Sequence, residues 1–566
     1  MEQNKRFKDP IYGYIFVSSR YTSKVIDDAT FQRLRRILQT SYSPVYPSAA
    51  HNRFVHSLGV YHLGEIACDA LKREFLSKFE KKGSSTVGAE KLNEKHLNRF
   101  CEVFLLACLL HDVGHSPFSH TGEKFFLEPN GDAEKLHKML FDTLGDENEL
   151  SLQLKNEALP EAAPHEIMSA IVGIEEYRDF FIDDEECEFF ARCITGYLYS
   201  KKSSVNTVKN CFISLLNSSV IDVDKLDYLI RDAYTTGFSN VNIDYRRLLQ
   251  SITVIEYDGL YEIAYQRGAI SVLENVVYAH DAERKWIQNH PVVLYETYIL
   301  ENIIESLNNN LVSQNVQLFS RQSLSREGNV ISFNGDSEDN KSVRDITIRL
   351  FSDDDVIHLV KGGYHSNTKE FKGLCAEYFS RKDRRHPIWK SEAEYKAYWD
   401  SIDNLDRVES VMEDLTKYLK TETNEWIIND NLKFKLEDEI KKLEVSKNIK
   451  AETREEQLRN KRIFLRIVDC LKQYAIEKKI EFNFVIISAS QFTSGFGKTN
   501  FSKTKIAFTN CGKTIQKDFG KIVTSFDATK RERERFFYLY HTKGIRENLI
   551  DIAELCKRMS EAIEGN

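Results

Sequence analysis

The pattern of apolar and polar positions along the chain predicts a mainly helical protein. Residues 51–75, HNRFVHSLGVYHLGEIACDALKREF, carry apolar side chains at helical spacing. A more strongly apolar run at residues 98–112 predicts a second helix, which ends near Gly114. Pro164 is placed to open a further helix. Helical patterns then continue to about residue 310, so we expect a large helical region over the first half of the chain.

Strand-like alternation is limited to two late segments, EFNFVIISAS (481–490) and KTKIAFTN (503–510). The predicted fold class is therefore mostly α, with a minor mixed α/β lobe near the C-terminus. A polar stretch rich in Gly, Ser and Asn suggests a boundary in the second half of the chain. The predicted domains are a core at 1–320, a polar loop at 321–342, a charged helical region at 343–480 and a small α/β lobe at 481–566.

Composition excludes several classes of protein. At 566 residues the chain is longer than one average domain, and 42% hydrophobic residues are ample for a core. A net charge of −8 does not suggest a nucleic-acid partner, so an anionic ligand must meet a local cluster of basic side chains. Neither a secretory h-region nor a run of 18 apolar residues is present, which predicts a cytoplasmic protein without a membrane partner.

Candidate chemistry begins where the apolar helix ends, in LLACLLHDVGHSPFSH. His111 and Asp112 lie next to each other at a buried helix end, and burying both is costly unless each has a strong partner. A divalent cation is such a partner, because neutral imidazole and carboxylate oxygen are both metal ligands. An isolated His-Asp pair is usually structural, so the metal interpretation depends on further ligands from other segments.

Two other segments supply such residues. His56 follows Arg53 by three positions on one helix, so the two side chains share a face. In IDVDKLDYLIRD, Asp224, Tyr228 and Asp232 are spaced at four-residue intervals and form one stripe of a helix, with Lys225 beside it. Two histidines, two aspartates and nearby cations suit a metal ion together with phosphate oxygens.

These segments resemble the HD superfamily, and more closely its dNTP triphosphohydrolases, represented by the mammalian sterile-alpha-motif/HD-domain enzyme and bacterial dGTPase-like enzymes. The matching stretches are DPIYGYI (9–15), FQRLRRILQ (31–39), HNRFVHSLGV (51–60), HDVGHSPFSH (111–120) and IDVDKLDYLIRD (221–232). The resemblance covers the first 240 residues or so in the family's order and becomes diffuse after about residue 300. It implies an HD-domain helical core.

The resemblance also implies roles for individual residues. One divalent metal ion (Mg, Mn, Fe, Zn or Ni), with additional Mg accompanying the nucleotide triphosphate, would be held by His56, His111, Asp112 and Asp224. Substrate dNTP would be bound at the α-phosphate by Arg53, at the triphosphate by Lys225, at the sugar by Tyr228, and at the 3′-hydroxyl by Gln39 and Asp232. Catalytic histidines would be His115, His120 and His165, with Glu123 in place of the family's aspartate.

The implied reaction converts a dNTP and water to a deoxynucleoside and triphosphate, with His165 as the proton donor and His120 as its alternative. Family members form homo-oligomers, dimers or tetramers, with an activating nucleotide between subunits. Its pocket would correspond here to Lys5, Asp27, Gln32 and Arg35, although an ordinary charged helix start explains these four equally well. The resemblance further implies control of dNTP pools, including antiviral or antiphage dNTP depletion.

Two other functions remain open at this point. The same metal ligands serve HD-type phosphodiesterases and nucleases that act on nucleotides or single-stranded nucleic acid, because the ligands specify hydrolysis but not the leaving group. A non-catalytic nucleotide sensor could also keep the fold. The set of Gln39, Arg53, Lys225, Tyr228 and Asp232 favours a triphosphate substrate over both alternatives.

Overall fold

The fold is mainly helical with four small sheets among the described residues, which confirms the predicted fold class. A computed structural model describes residues 4–81, 92–127, 134–156, 159, 162–218, 221–238, 242–312, 317–334, 343–362, 369–382, 384–400, 402, 404–420, 427–446, 450–489, 500–511, 513–524, 536–542 and 550–565. None of the helices within these ranges is long and apolar enough to cross a membrane.

The helices are α1 (Ser19–Tyr21), α2 (Ala29–Gln32), α3 (Arg53–Lys81), α4 (Glu94–Leu110), α5 (His120–Glu123), α6 (Glu134–Leu144), α7 (Glu149–Asn156), α8 (Pro164–Glu176), α9 (Asp184–Thr195), α10 (Ser204–Leu216), α11 (Val223–Thr236), α12 (Tyr245–Gln250), α13 (Ile270–Ala282), α14 (Pro291–Val312), α15 (Arg321–Leu324), α16 (Asp353–Lys361), α17 (Lys369–Phe379), α18 (Glu392–Trp399), α19 (Leu405–Tyr418), α20 (Asp430–Val445), α21 (Ala451–Lys478), α22 (Phe519–Ile522) and α23 (Ile552–Glu564). The strands are β1 (Lys5–Asp9), β2 (Gly13–Val17), β3 (Ile252–Tyr257), β4 (Leu260–Gln266), β5 (Asn329–Asn334), β6 (Val343–Ile348), β7 (His386–Pro387), β8 (Ile427–Ile428), β9 (Phe484–Ser488), β10 (Lys505–Asn510), β11 (Lys513–Asp518) and β12 (Phe537–His541).

Contacts divide the chain into two compact units whose segments alternate along the sequence. The first unit contains Met1–Arg284, Glu301–Asn367 and Ser494–Arg531, and the second contains Lys285–Leu300, Thr368–Thr493 and Glu532–Asn566. The linear boundaries at residues 320, 342 and 480 stay a prediction. Composition indicates loops along the sequence, whereas compact units follow contacts between distant segments.

In the first unit, α3 packs against both α4 and α11, and α8 packs against α9. The start of α11 is fixed by Asp222, whose side chain accepts a hydrogen bond from the backbone N–H of Lys225 at 2.7 Å. Its end is fixed by Gly237, which adopts φ of 80°. The N-cap thereby fixes where the first turn of α11, which carries Asp224, begins.

Two sheets of the first unit contain the hairpins β1-β2 and β3-β4, and the second of these sheets has the strand order β11-β10-β4-β3. The expectation that helical pattern continues to residue 310 is therefore wrong over β3 and β4. Asp258 and Gly259 form the turn between them with φ of 48° and 81°. An Asp-Gly pair between alternating apolar segments is a strong hairpin signal, and here it was present in the sequence.

The second unit has its own four-stranded sheet, in the order β7-β12-β9-β8. An aromatic core surrounds Trp389, whose ring lies against Tyr395, Trp399 and Phe537. The helices α20 and α21 pack side by side, with charged residues directed outward and a narrow apolar stripe buried. The C-terminal strands thus divide between the sheets of the two units.

Candidate metal centre and active site

Four side chains from three separate segments converge in the first unit. His56 lies on α3, His111 and Asp112 follow the end of α4, and Asp224 lies in the first turn of α11. The Nε2 atoms of His56 and His111 are 3.2 Å apart, and Asp224 Oδ1 lies 2.9 Å and 3.6 Å from them. The oxygens of Asp112 lie 3.7 Å from His56 Nε2 and 3.5 Å from His111 Nε2. The predicted metal ligands are thus neighbours in space.

The hydrogen bonds of the two imidazoles determine which nitrogen of each ring presents a lone pair to the centre. His111 Nδ1 lies 2.9 Å from the carbonyl of Cys108, and His56 Nδ1 lies 2.7 Å from Asp227 Oδ2. Both partners only accept, so each Nδ1 must donate and each neutral ring presents the lone pair of Nε2. Two lone pairs facing each other between carboxylates repel unless a proton or a metal ion lies among them, and this set of nitrogen and oxygen donors fits a divalent metal ion.

The carboxylate of Asp227 orients His56, a role that the sequence does not predict. It is fully buried, and it accepts hydrogen bonds from Tyr12 Oη at 2.8 Å and from Arg231 Nε at 2.9 Å. Arg231 in turn donates to Asp9 at 3.0 Å. A carboxylate behind a metal-binding histidine fixes the ring and raises its basicity. Its signal in the sequence was a third aspartate in D-x-D-K-x-D-Y.

Two glycines allow this close assembly. A Cβ on Gly59 would lie 1.9 Å from Asp227 Oδ1, so α3 and α11 can approach here only without a side chain. A Cβ on Gly114 would lie 2.3 Å from the backbone nitrogen of Ser169 on α8. The N–H of Gly114 instead donates to Ser169 Oγ at 2.8 Å, which brings the middle of α8 against the loop after the metal residues.

Arg53 lies beside the metal ligands and is only 3% exposed. Its Nη1 donates to Asp112 Oδ2 at 2.7 Å, and its Nε donates to Ser119 Oγ at 2.8 Å. Burial opposes the charge on Asp112, but the guanidinium and the neighbouring histidines hold the pKa of this carboxyl well below its usual range. Arg53 Nη2 is buried without a hydrogen-bond partner among the described residues, so it remains available to a ligand oxygen.

A second cluster gathers the three predicted catalytic histidines around Glu123. One of its oxygens lies 2.7 Å from His165 Nδ1, 2.8 Å from His120 Nδ1 and 3.4 Å from His115 Nδ1. The cluster borders the metal centre, because His115 Nε2 lies 3.3 Å from Asp112 Oδ1. Sequence-separated histidines therefore meet at one carboxylate, with His120 largely exposed and His115 fully buried.

The cluster is better suited to proton transfer than to a second metal ion. The rings of His115 and His165 stack with centroids 3.9 Å apart and an angle of 16° between their planes. A bound ion must lie near the plane of each ring that ligates it, which one ion cannot do for two stacked rings. Burial lowers the pKa of His165, yet Glu123 outweighs it and raises this pKa to about 9. Burial, Arg53 and His165 hold the pKa of His115 well below its ordinary value.

The residues predicted to bind the sugar lie close to His51, for which the sequence predicts no role. The backbone N–H of Gln39 donates to the carbonyl of His51 at 3.0 Å, and His51 Nε2 lies 2.8 Å from Asp232 Oδ1. Gln39 Oε1, both ring nitrogens of His51 and Asp232 Oδ1 are buried without a well-aligned hydrogen bond in the described chain. Such groups are costly in isolation, so their clustering indicates a polar ligand. Tyr228, half-buried one turn before Asp232, lies on the same stripe of α11.

Lys225 is paired within the protein, and its contact with a triphosphate stays a prediction. Its Nζ donates to the carbonyl of Ser218 at 2.7 Å and forms an ion pair with Asp222. Burial lowers the pKa of Lys225, but Asp222 reverses this effect and raises it above its ordinary value. The ammonium of Lys225 therefore stays charged at the start of α11 and is paired with the carboxylate of Asp222.

The four residues of the predicted nucleotide pocket form two neighbouring pairs. Lys5 Nζ lies 2.7 Å from Asp27 Oδ1, and both side chains are about half exposed. Arg35 Nε donates to Gln32 Oε1 at 2.8 Å, and its guanidinium lies over the ring of Phe54 at 3.5 Å. The residues are close to solvent and to one another, and their regulatory role stays a prediction.

Residues 53–172 match the family model of the HD domain. The chain carries an HD domain. The matched range includes His56, His111 and Asp112 together with the whole histidine cluster, whereas Asp224 lies beyond it on α11. The HD domain therefore supplies three of the four predicted metal ligands, and the rest of the first unit supplies the fourth.

Curated relatives of this HD-domain chain include a deoxynucleoside triphosphate triphosphohydrolase. The mouse protein of that name, SAMHD1, is 33% identical over 48% of this chain and 37% of its own length. Two relatives named as uncharacterized proteins match a similar share of this chain. YwfO of Bacillus subtilis is 29% identical over 54% of this chain and 56% of its own length. A Mycoplasma genitalium protein is 28% identical over 48% of this chain and 53% of its own length. The chain spans about half the length of these two relatives.

A solved structure supports the fold independently. The crystal structure of a phosphohydrolase from Bacteroides thetaiotaomicron matches with a TM-score of 0.52 and 16% identity, over 95% of this chain and all of that one. At this identity the likeness concerns the architecture alone.

Proposed function

We propose that the HD domain of this chain is a metal-dependent phosphohydrolase that converts a dNTP and water to a deoxynucleoside and inorganic triphosphate. The observation that carries the proposal is the pair of Nε2 lone pairs of His56 and His111, 3.2 Å apart and flanked by Asp112 and Asp224. A divalent cation fits this donor set, and Arg53 Nη2, which has no hydrogen-bond partner among the described residues, offers a phosphate an N–H beside it. Similarity to relatives named dNTP triphosphohydrolases supports the choice of substrate.

In this proposal a divalent cation held by His56, His111, Asp112 and Asp224 supplies charge neutralisation and a water of lowered pKa. Arg53 donates to the α-phosphate and holds it in line for attack by water at the α-phosphorus. The bond from phosphorus to the 5′-oxygen breaks, and His165, kept protonated by Glu123, donates its proton to that oxygen. His120 is the alternative donor because it shares Glu123.

The remaining residues define the proposed substrate class. The buried atoms of Gln39, His51 and Asp232 that lack a well-aligned hydrogen bond among the described residues suit a sugar hydroxyl, which both donates and accepts hydrogen bonds. Tyr228 would pack on the sugar, and Lys225 would turn from Asp222 towards the triphosphate. Hydrolysis of this kind would lower dNTP pools and so deprive an infecting virus or phage of precursors.

A product assay tests the proposal. The purified chain is incubated with each dNTP and NTP in the presence of Mg or Mn, and the products are separated by anion-exchange chromatography. We expect free triphosphate and a deoxynucleoside. Monophosphate or pyrophosphate would instead indicate one of the other HD-type phosphodiesterases or nucleases, and absence of turnover with every nucleotide and metal would indicate a sensor.

Matched variants connect turnover to the metal centre. His111→Ala and Asp112→Ala each remove one ligand, and we expect both to abolish turnover and to lower the bound metal. His358→Ala removes an exposed histidine of α16 in the same unit and should behave as the parent chain. Parent-like activity in His111→Ala and Asp112→Ala, as in His358→Ala, would reject the site.

Regulation is a separate part of the proposal. We propose that an activating nucleotide binds near Lys5, Asp27, Gln32 and Arg35 and promotes assembly of the chain into a dimer or tetramer. Light scattering of the chain with and without dGTP or dTTP tests this, since a mass that does not change with nucleotide would contradict it. Lys5→Ala should weaken the response while leaving the metal content unchanged.

A further inference from the structure

The carboxylate of Asp353 joins two loops of the proposed active site although it lies far beyond the HD-domain match. It is the first residue of α16 and is 7% exposed. Its Oδ1 accepts a hydrogen bond from the backbone N–H of Phe118 at 2.6 Å, and its Oδ2 accepts one from the backbone N–H of Leu38 at 2.9 Å. Leu38 precedes Gln39, and Phe118 precedes Ser119, so both bonds end beside groups of the site.

The loop that contains Phe118 adopts a backbone conformation that needs such support. Phe118 and Ser119 have φ of 56° and 54°, in the left-handed region that residues with a side chain seldom adopt. Conformations of this kind persist only where surrounding contacts fix them. Ser116 Oγ donates to the carbonyl of Ser119 at 2.8 Å, and Ser119 Oγ in turn accepts from Arg53. The loop conformation therefore determines where Arg53 is held.

Arg33 fixes the other end of the same loop. Its Nη2 donates to the carbonyls of Val113 and His115, each at 2.8 Å, and its Nη1 donates to the carbonyl of Phe351 at 2.6 Å. The segment ending at Asp353 and the guanidinium of Arg33 thus hold residues 113–118 from both ends. We call Arg33 and Asp353 together the loop brace.

We infer that Asp353 is a positioning residue of the active site, which holds the Gln39 segment and the loop leading to Ser119 and His120 at a fixed separation. The kinetic part of this inference rests on the proposed function. A buried carboxylate is an expensive way to fill space, because an apolar side chain of similar size packs there at less cost. Two backbone N–H groups from distant segments, both pointing at one carboxylate, require a double acceptor. Burial raises the pKa of Asp353 to about 7, although both hydrogen bonds and Arg33 oppose that shift, consistent with such a cost.

The test compares Asp353→Asn with Asp354→Asn. Asp354 is the next residue of α16, and its side chain is 70% exposed and lies 3.4 Å from the equally exposed Arg36. The control therefore carries the same chemical change at a solvent-screened surface pair, without the brace. In Asp353→Asn we expect faster amide hydrogen exchange in residues 36–40 and in residues 113–120, with bound metal unchanged. We also expect kcat to fall about 10- to 100-fold while KM changes little, because misplacing aligned groups mainly affects the transition state. Exchange and kcat equal to those of Asp354→Asn would overturn the inference.

A second variant decides the matter if Asp353→Asn does not fold. Arg33→Lys keeps the charge but loses the fork that reaches Val113 and His115, so exchange should rise in residues 113–120 and stay slow in residues 36–40, with a lower kcat. Unaltered exchange and kcat in this variant would reject the brace. The exchange measurement needs no substrate, so a parent chain inert towards every dNTP would refute the proposed function and leave the brace to be decided by exchange.

Discussion

The rings of His115 and His165 stack 3.9 Å apart, yet their surroundings shift their pKa values in opposite directions. Glu123 lies 2.7 Å from His165 and raises its pKa to about 9 against the effect of burial. His115 is fully buried, and burial together with Arg53 and the charged His165 lowers its pKa. One neutral and one protonated imidazole side by side are the arrangement that a site needs to hold a proton at a defined atom.

The first prediction concerns the pH dependence of hydrolysis. If protonated His165 donates to the leaving oxygen, activity holds through neutral pH and falls as pH rises through about 9. Glu123→Gln removes the main cause that raises this pKa, so the alkaline limb of the kcat profile should move at least about one unit lower. Glu185→Gln changes a side chain that is 84% exposed and should leave the profile in place. An unchanged alkaline limb in Glu123→Gln would exclude His165 as the donor.

The second prediction concerns the support of His56 by Asp227. Asp227→Asn replaces a carboxylate that accepts from the ring, and we expect metal affinity to fall about 10- to 100-fold. Tyr12→Phe removes only one hydrogen bond to Asp227 and should give a smaller loss. Asp69→Asn alters an exposed position on α3 and serves as the control. Competition with a chelator measures the affinity, and a folded Asp227→Asn chain that keeps the parent affinity would contradict the role.

The third prediction concerns the packing of α3 against α11. Gly59→Ala would place a Cβ 1.9 Å from Asp227 Oδ1 and 2.5 Å from Arg231 Nη2, so these hydrogen-bonded side chains or the helices that carry them must shift. We expect a loss of about 1–3 kcal/mol in the free energy of unfolding, as in other overpacked cores. Gly373→Ala on α17 has open space around it and should instead stabilise by about 0.5–1 kcal/mol through helix propensity. Chemical denaturation measures both, and equal effects would contradict the close approach.

The fourth prediction concerns recognition of the sugar. His51 Nε2 lies 2.8 Å from Asp232, and we expect His51→Ala to lower the preference for dTTP over 2′,3′-dideoxythymidine triphosphate about tenfold, the worth of one hydrogen bond to a charged group. The ratio of kcat/KM for the two nucleotides is the measurement. His358→Ala should keep the parent ratio. A parent chain that does not distinguish the two nucleotides would remove the sugar-reading assignment.

Local patterns in the sequence were sufficient to predict the helices that carry the site. The apolar run at residues 98–112 predicts a helix that ends near Gly114, and the structure has α4 ending at Leu110. The four-residue spacing of Asp224, Tyr228 and Asp232 predicts a stripe of one helix, which α11 contains. The turn at Asp258 and Gly259 also has a local signal, but the short apolar runs on either side of it fit a helix as well as a strand.

Contacts between distant segments had no comparable local signal. Asp227 and His51 stand within recognisable motifs, but their partners become evident only when α3 and α11 lie side by side. Asp353 belongs to a segment without any motif, and its two backbone partners lie more than two hundred residues away. Backbone N–H groups are the same in every residue, so the sequence gives no sign of which of them will meet a side chain.

The sequence by itself determined the helical class, the helices of the site and the set of residue types that suits a metal ion and phosphates. Periodicity and ligand chemistry are local properties, and they can be read from neighbouring residues. Tertiary structure alone decided that His56 and His111 face each other through Nε2, that Glu123 joins three histidines, and that Asp353 braces the loops. Each of these depends on how closely separate helices and loops approach, and that distance is set by packing of the whole first unit.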